Sequence, residues 1–166
     1  MIEKQEVTST YIIIREAMMD DLDAIICEAM MNDLDAIIEI DIKASAMEKH
    51  EYWRDTLELY LKQNNRRCFL VAEQDNHIIG FILGEIRAWE FGSASCGWVF
   101  AIGVTEQGRL QGVGSKMLDN LCGYFRRAGV RKVRTMVVRQ NHELLSFFRS
   151  QGMMAGPYQE LEKEVD

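Results

Sequence analysis

Apolar residues in this chain gather into short runs, some alternating with the period of a strand and some spaced like a helix face. Residues 11–15, "YIIIR", are β-branched and apolar and predict a strand. Residues 16–38 are helical in pattern. Residues 46–63 place Tyr52, Leu57, Tyr60 and Leu61 near one face of a second helix. Two strand-like runs, 68–73 and 77–87, are separated by the polar turn "QDN" and predict a β-hairpin. "WVFAIGV" at 98–104 is a further sheet run with a glycine inside it. The glycine-rich "EQGRLQGVG" follows and leads into a helix over 113–128. Residues 131–138 predict a strand, 141–152 a helix stopped by glycine, and "PYQELEKEV" a last, exposed strand. The order is β-α-α-β-β-β-α-β-α-β, a mixed α/β layout.

Within the first helical stretch the chain repeats itself. Residues 16–26 and 28–38 differ only by Asp20 against Asn32. Twelve residues at about 100° each turn the second copy by about 120°, so one straight helix would not keep both apolar sets on one face. Two readings remain: a break near Met31 and Asn32 giving two short helices, which is preferred, or a longer helix whose apolar face winds around and exposes methionines for a lid or dimer contact. Either copy can start a helix, with Asp20 or Asn32 as cap and Asp23 or Asp35 three residues on. The methionines of either copy suit packing, and neither copy holds a group able to do acyl chemistry.

A chain of 166 residues suits one domain, here expected over 11–166 behind a polar tail at 1–10. The net charge of −7 disfavours nucleic acid and is congenial to a cationic small molecule or amine. Four cysteines, Cys27, Cys68, Cys96 and Cys122, stand far apart without C-x-x-C spacing, which disfavours a disulfide scaffold or a zinc ribbon and fits a reducing compartment. The N-terminal ten residues lack the apolar core of a signal peptide, and no apolar run approaches the ~20 residues of a membrane span. A cytoplasmic location is expected. His50, His77 and His142 are scattered, and no metal site is expected.

The informative segment is "GWVFAIGVTEQGRLQGVGSKMLDNL". A strand runs out into Arg109-Leu110-Gln111-Gly112-Val113-Gly114 and a helix begins at once. Glycine allows positive φ and close approach, and free N–H groups at a helix start attract an anion. The spacing lacks the first glycine of a Walker loop and the third glycine of a dinucleotide fingerprint, where Met117 stands. These residues alone leave both a phosphate site and a plain strand–turn–helix corner open.

The Q/R-x-x-G-x-G pattern after such a strand resembles the acetyl-CoA pyrophosphate loop of the GNAT superfamily of N-acetyltransferases. A second element at the family's distance, "NHELLSFFRSQGM" from Asn141 to Met153, is similar to its N-x-x-A-x-x-F-Y-x-x-x-G-F helix. The resemblance implies a mostly antiparallel central sheet with helices on both faces. It also implies acetyl-CoA as cofactor and acetyl transfer to an amine, of a small molecule or a peptide, by direct attack on the thioester. The N–H groups of Gln111, Gly112, Val113, Gly114 and Ser115 would hold the pyrophosphate beside Arg109 and Leu110. Ile102, Gly103 and Val104 would pair with the pantetheine arm, Gly103 serving as a bulge in a strand splayed from 131–138. Asn141 and Phe148 would face the cofactor from the far wall.

Two departures bear on chemistry. Phe148 stands where many relatives place a tyrosine that protonates the leaving thiolate, and the strand at 96–104 has no acid where some relatives place a glutamate. Glu85 and Tyr158 are the candidate base and acid, each with a plain structural alternative, and catalysis by positioning and water stays open. A silent acyl-CoA sensor of the same fold is the rival reading. The short tail after Gly152 implies a less covered acceptor site, or a homodimer completing the edge.

Overall fold

The computed structural model describes residues 24–62, 65–88 and 90–165. The strand expected at 11–15, most of the first repeat copy and Trp89 lie outside the described residues. Five strands form one sheet in the order β1-β2-β3-β4-β5, with β1 at Ile25–Glu28, β2 at Arg67–Gln74, β3 at His77–Arg87, β4 at Cys96–Val104 and β5 at Val133–Thr135. Neighbours are antiparallel from β1 to β4, and β5 joins β4 in parallel. The expected mixed, mostly antiparallel sheet is the one observed.

Helices α1 (Leu34–Ser45) and α2 (His50–Leu61) cover one face. They bury Ile37, Ile40, Trp53 and Leu57 against Phe69, Val71, Phe81 and Leu83. Helices α4 (Val113–Arg127) and α5 (His142–Ser150) lie on the other, where Met117, Leu121, Phe125 and Phe148 meet Leu70, Ala72, Ile82 and Val99. Successive strand residues point to opposite faces, so β2 and β3 supply both cores from alternate positions. In α2 the inward residues are Trp53 and Leu57, while Tyr52 and Leu61, expected on the apolar face, are exposed.

The duplicated stretch departs from the all-helical expectation. Ile25 and Ile26 belong to a strand, at the sheet edge among the described residues, paired with Glu73 and Ala72, whereas their copies Ile37 and Ile38 are buried in α1. Strand gives way to helix at Met30, one residue ahead of the expected break. The capping acid is Asp33, whose Oδ2 accepts from Met30 N at 2.7 Å, instead of Asp35 acting for an Asn32 cap. A single 3-10 turn, Met31–Asp33, then leads into α1.

Two further expectations are corrected. The strand expected in "PYQELEKEV" is absent: 153–165 carries no regular secondary structure, and Leu161 and Val165 are almost fully exposed. The segment is dominated by Glu and Lys, and β5 offers a three-residue edge, too short a template. The bulge of β4 is not at Gly103. The register with β3 slips between Leu83↔Ala101 and Gly84↔Val99, which leaves Phe100 as the extra residue. Gly103 is instead a packing cut-out, since a Cβ there would lie 2.5 Å from Phe81 Cε1 and 2.9 Å from Ile40 Cγ2.

The same crowding gives a stability test. A Cβ at Gly84, beside the bulge, would lie 2.6 Å from Trp98 O and 2.8 Å from Phe125 Cζ. Gly84→Ala is expected to cost about 1–3 kcal/mol in urea unfolding by overpacking. Gly123→Ala, inside α4 with 3.6 Å to Arg127 Nη1, is expected to gain up to about 1 kcal/mol from helix propensity.

Candidate functional site

The site begins where β4 and β5 part. They pair at Gly97↔Val133, Trp98↔Arg134 and Val99↔Thr135, and the ladder stops there. Thr135 closes it with its side chain, Oγ1 donating to Val99 O at 3.0 Å. From Phe100 to Val104, β4 runs on with β3 alone. Thr105 N donates to Ile79 O at 2.9 Å, and this fixes the phase of the antiparallel ladder. Bonding alternates, so Ala101 and Gly103 turn their N–H and C=O groups to β3 while Ile102 and Val104 turn theirs toward the β5 side. No strand among the described residues lies opposite them. Ile102 and Val104 still pack their side chains against the α4/α5 core.

The gap leads to the start of α4. "EQGRL", expected as irregular chain, forms a one-turn helix α3 (Glu106–Leu110), capped by Thr105 Oγ1, which accepts from Gly108 N at 3.2 Å. Gly112 then takes φ +69°, a conformation costly to residues with a Cβ. Gln111 N and Gly112 N are drawn into the turn, donating to Gly108 O and Arg109 O at 3.2 Å each. The first hydrogen bond of α4 runs from Lys116 N to Gly112 O. The N–H groups of Val113, Gly114 and Ser115 therefore have no acceptor within the helix. Of the five amides expected to hold a pyrophosphate, these three lack a helical acceptor, and they stand at the positive end of a fifteen-residue helix. Gly114 lets Phe147 lie close, since a Cβ would sit 3.3 Å from its Cε2.

The remaining predicted cofactor residues are dispersed around this corner. Arg109 bonds Val104 O through Nε at 3.3 Å and pairs with Glu143 at the start of α5. It pins strand end to helix start, and part of its charge is spent on Glu143. Leu110 is almost fully exposed. Asn141 caps α5, its Oδ1 accepting from Leu144 N at 3.0 Å. Phe148 is buried in the α4/α5 core, and it is its neighbour Phe147 that packs over Gly114.

On the α1/α2 face beside the bulge lies a polar row that sequence reasoning met only at Glu85. Arg67, Glu85, Trp98 and Arg134 are direct partners on β2, β3, β4 and β5. Glu85 Oε1 is 3.8 Å from Arg67 Nε, and Oε2 is 3.7 Å from Arg87 Nη2. Arg87 also lies over the Phe100 ring at 5.2 Å, and Phe100 stacks on Trp98 at 6.5 Å. Burial pushes the Tyr60 hydroxyl up, and the Glu85 carboxylate adds to the effect, which places Tyr60 in the same cluster. Tyr158 is two strands from Glu85. Arg134 sits 4.6 Å over its ring and donates to its hydroxyl at 3.4 Å, while Arg134 Nη1 donates to Ser93 Oγ at 2.9 Å. The candidate base and acid therefore share one face without touching. Strand alternation held the missed signal: Arg67, Phe69 and Val71 share one face of β2, and Phe81, Leu83, Glu85 and Arg87 share one face of β3.

A nucleophilic role is disfavoured at two of the cysteines. Burial pushes the Cys68 thiol up to about 12 and raises that of Cys122. Neither is a thiolate near neutral pH.

Comparison with known proteins places these features in a family. The sequence profile of the acetyltransferase (GNAT) family matches residues 34–153. A comparison with curated proteins found no match. Among solved structures, the fold is similar to a transcriptional regulator from Bacillus halodurans C-125, with TM-score 0.73, 16% identity, and coverage of 86% of this chain and 99% of that one. It is also similar to the aminoglycoside N-acetyltransferase AAC(6')-Iy in complex with CoA, with TM-score 0.75, 14% identity, and 85% and 94% coverage. A third similar structure is the aminoglycoside 6'-N-acetyltransferase AAC(6')-Ih from Acinetobacter baumannii, with TM-score 0.74, 12% identity, and 86% and 99% coverage. At these identities the structures speak for the fold, and the sequence match speaks for descent. The chain belongs to the GNAT acetyltransferase family.

Proposed function

We propose that this protein transfers the acetyl group of acetyl-CoA to an amine by direct attack. The observation that carries the reading is the parting of β4 from β5 after Val99 and Thr135, together with three amides at the start of α4 that have no acceptor within the helix. An extended arm with amide groups fits beside Ile102 and Val104 as a strand would, and a diphosphate fits the helix start. The fit is backbone to backbone, so it asks little of side-chain identity.

Acetyl-CoA, when bound, would supply a thioester whose acyl group can pass to the amine nitrogen with the CoA thiolate as leaving group. The chain's own part is positioning and polarity. The gap-facing N–H of Ile102, next to the bulge, is the proposed donor to the developing oxyanion. Glu85, beside the bulge on the acceptor face, is the proposed destination of the amine proton, directly or through water. Phe148 has no hydroxyl to offer, so the thiolate takes its proton from solvent or from the Tyr158 side of the cleft. The proposed setting is the cytoplasm; among the described residues no helix is long and apolar enough to cross a membrane.

A second reading, an acyl-CoA sensor without turnover, is favoured by one observation: position 148 is a buried phenylalanine. A thiol-release assay with acetyl-CoA and a panel of amines separates the two. Release on any amine supports the transferase, whereas tight CoA binding with no release on the panel supports the sensor.

Two sets of variants test the assignments. Gly112→Val and Gly114→Val are expected to weaken CoA by about tenfold or more in calorimetry, through backbone strain and obstruction of the amides respectively. Unchanged affinity in both would remove the phosphate site from this corner. Glu85→Gln is expected to lower kcat by about 100-fold with CoA affinity unchanged. Tyr158→Phe should lower kcat only if its hydroxyl serves the thiolate, and wild-type rates would assign that step to solvent.

A further inference from the structure

The whole chain is acidic, yet the acceptor face of the cleft is not. Among the described residues, three guanidinium groups stand around the β4 bulge, those of Arg67, Arg87 and Arg134, beside the Glu85 carboxylate. Arg134 is engaged by Ser93 and the Tyr158 ring on the β5 side. Arg67 and Arg87 share Glu85, at separations of 3.8 and 3.7 Å, too long for hydrogen bonds. Arg67 Nε and Trp98 Nε1 are buried atoms with no hydrogen-bond acceptor among the described residues. Buried donors without acceptors are costly and rare, and two of them in one row across the sheet, beside the place where β4 and β5 part, point to an acceptor that the row is built to hold. Here the missing partner is an acceptor of hydrogen bonds with negative charge.

Resting on the acetyl-transfer reading above, we infer that the amine substrate also carries an anionic group, most simply a carboxylate, as in an amino acid or the terminus of a peptide. Arg67, Arg87 and Trp98 Nε1 receive that anion, and Glu85, between the guanidiniums, faces the amine. A guanidinium meets a carboxylate through two parallel N–H donors, which fixes orientation as well as affinity. A polycation such as an aminoglycoside meets like charge here, so substrate class diverges from the fold neighbours that act on aminoglycosides. The overall charge of −7 misleads on this point: charge at the site, not on the chain, selects the ligand.

The test pairs charge on the substrate with charge on the protein. Thiol release from acetyl-CoA is measured with the twenty amino acids, their carboxamides, 2-aminoethyl phosphate, butylamine and kanamycin. The kcat/KM for the best carboxylate is expected to exceed that of its own carboxamide by about tenfold or more, with kanamycin poorer than either. 2-Aminoethyl phosphate outrunning every carboxylate would keep the anion site and assign it to phosphate. Arg87→Gln, at the more exposed of the two arginines, should erase the carboxylate preference chiefly through KM while CoA affinity stays at the wild-type value. Arg87→Lys should restore part of it. Carboxamides or kanamycin turned over better than carboxylates would overturn the inference while leaving the transferase standing. If no amine releases thiol, the transferase reading fails by itself. The anion site is then judged by saturation-transfer NMR of the amino acids on CoA-saturated protein. A transfer signal that disappears in Arg87→Gln supports the site, and a wild-type protein that gives no signal overturns it.

Discussion

Everything functional in this structure depends on β4 having one complete neighbour and one incomplete one. A strand inside a sheet normally spends its polar backbone groups on both sides. Here β3 pairs with β4 along nearly its whole length, whereas β5 satisfies it only from Gly97 to Val99. Beyond that point Ile102 presents its N–H and C=O, and Val104 its N–H, to a gap, the Val104 carbonyl being taken by Arg109. Such groups are inexpensive when wet and valuable when a ligand replaces the water. The two strands part for local reasons: the extra residue at Phe100 sharpens the twist of β4, and the Thr135 hydroxyl takes over Val99 O where the ladder ends.

That one irregularity organises both ends of the site. Along the strand it leads into Thr105, α3 and the glycine that turns α4 so its first amides face outward. Arg109 ties the end of β4 to the beginning of α5, holding the two walls of the gap in register. Across the sheet, the same bulge lies beside the row from Arg67 to Arg134. An acyl donor entering from one side and an amine from the other would meet at Phe100 and Ala101.

Much of this was legible in the residues, and the parts that were not have physical reasons. The hairpin of β2 and β3, helices α4 and α5 and the glycine corner follow from alternation, caps and φ demands that act locally. The repeat shows where locality ends. Ile25 and Ile26 occupy a strand and Ile37 and Ile38 a buried helical turn, although the nine residues before each pair differ only by Asp20 against Asn32. Pairing with β2 decides one case and burial against the sheet the other, and neither partner is visible from within the repeat. The bulge was misplaced at Gly103 because a glycine in a strand marks either a kink or a close approach. Only the position of Phe81 and Ile40 distinguishes the two. The polar row from Arg67 to Arg134 was missed because it takes one residue from each of four strands and exists only once their register is set.

The direct measurement is residue-resolved amide hydrogen exchange of the free and CoA-saturated protein by NMR. Ala101 and Gly103, bonded to β3, are expected to exchange slowly in both states. Ile102 and Val104 are expected to exchange fast in the free protein and to slow markedly when CoA saturates it. Slow exchange at Ile102 and Val104 without CoA, or no change on saturation, would contradict an open strand that receives the cofactor.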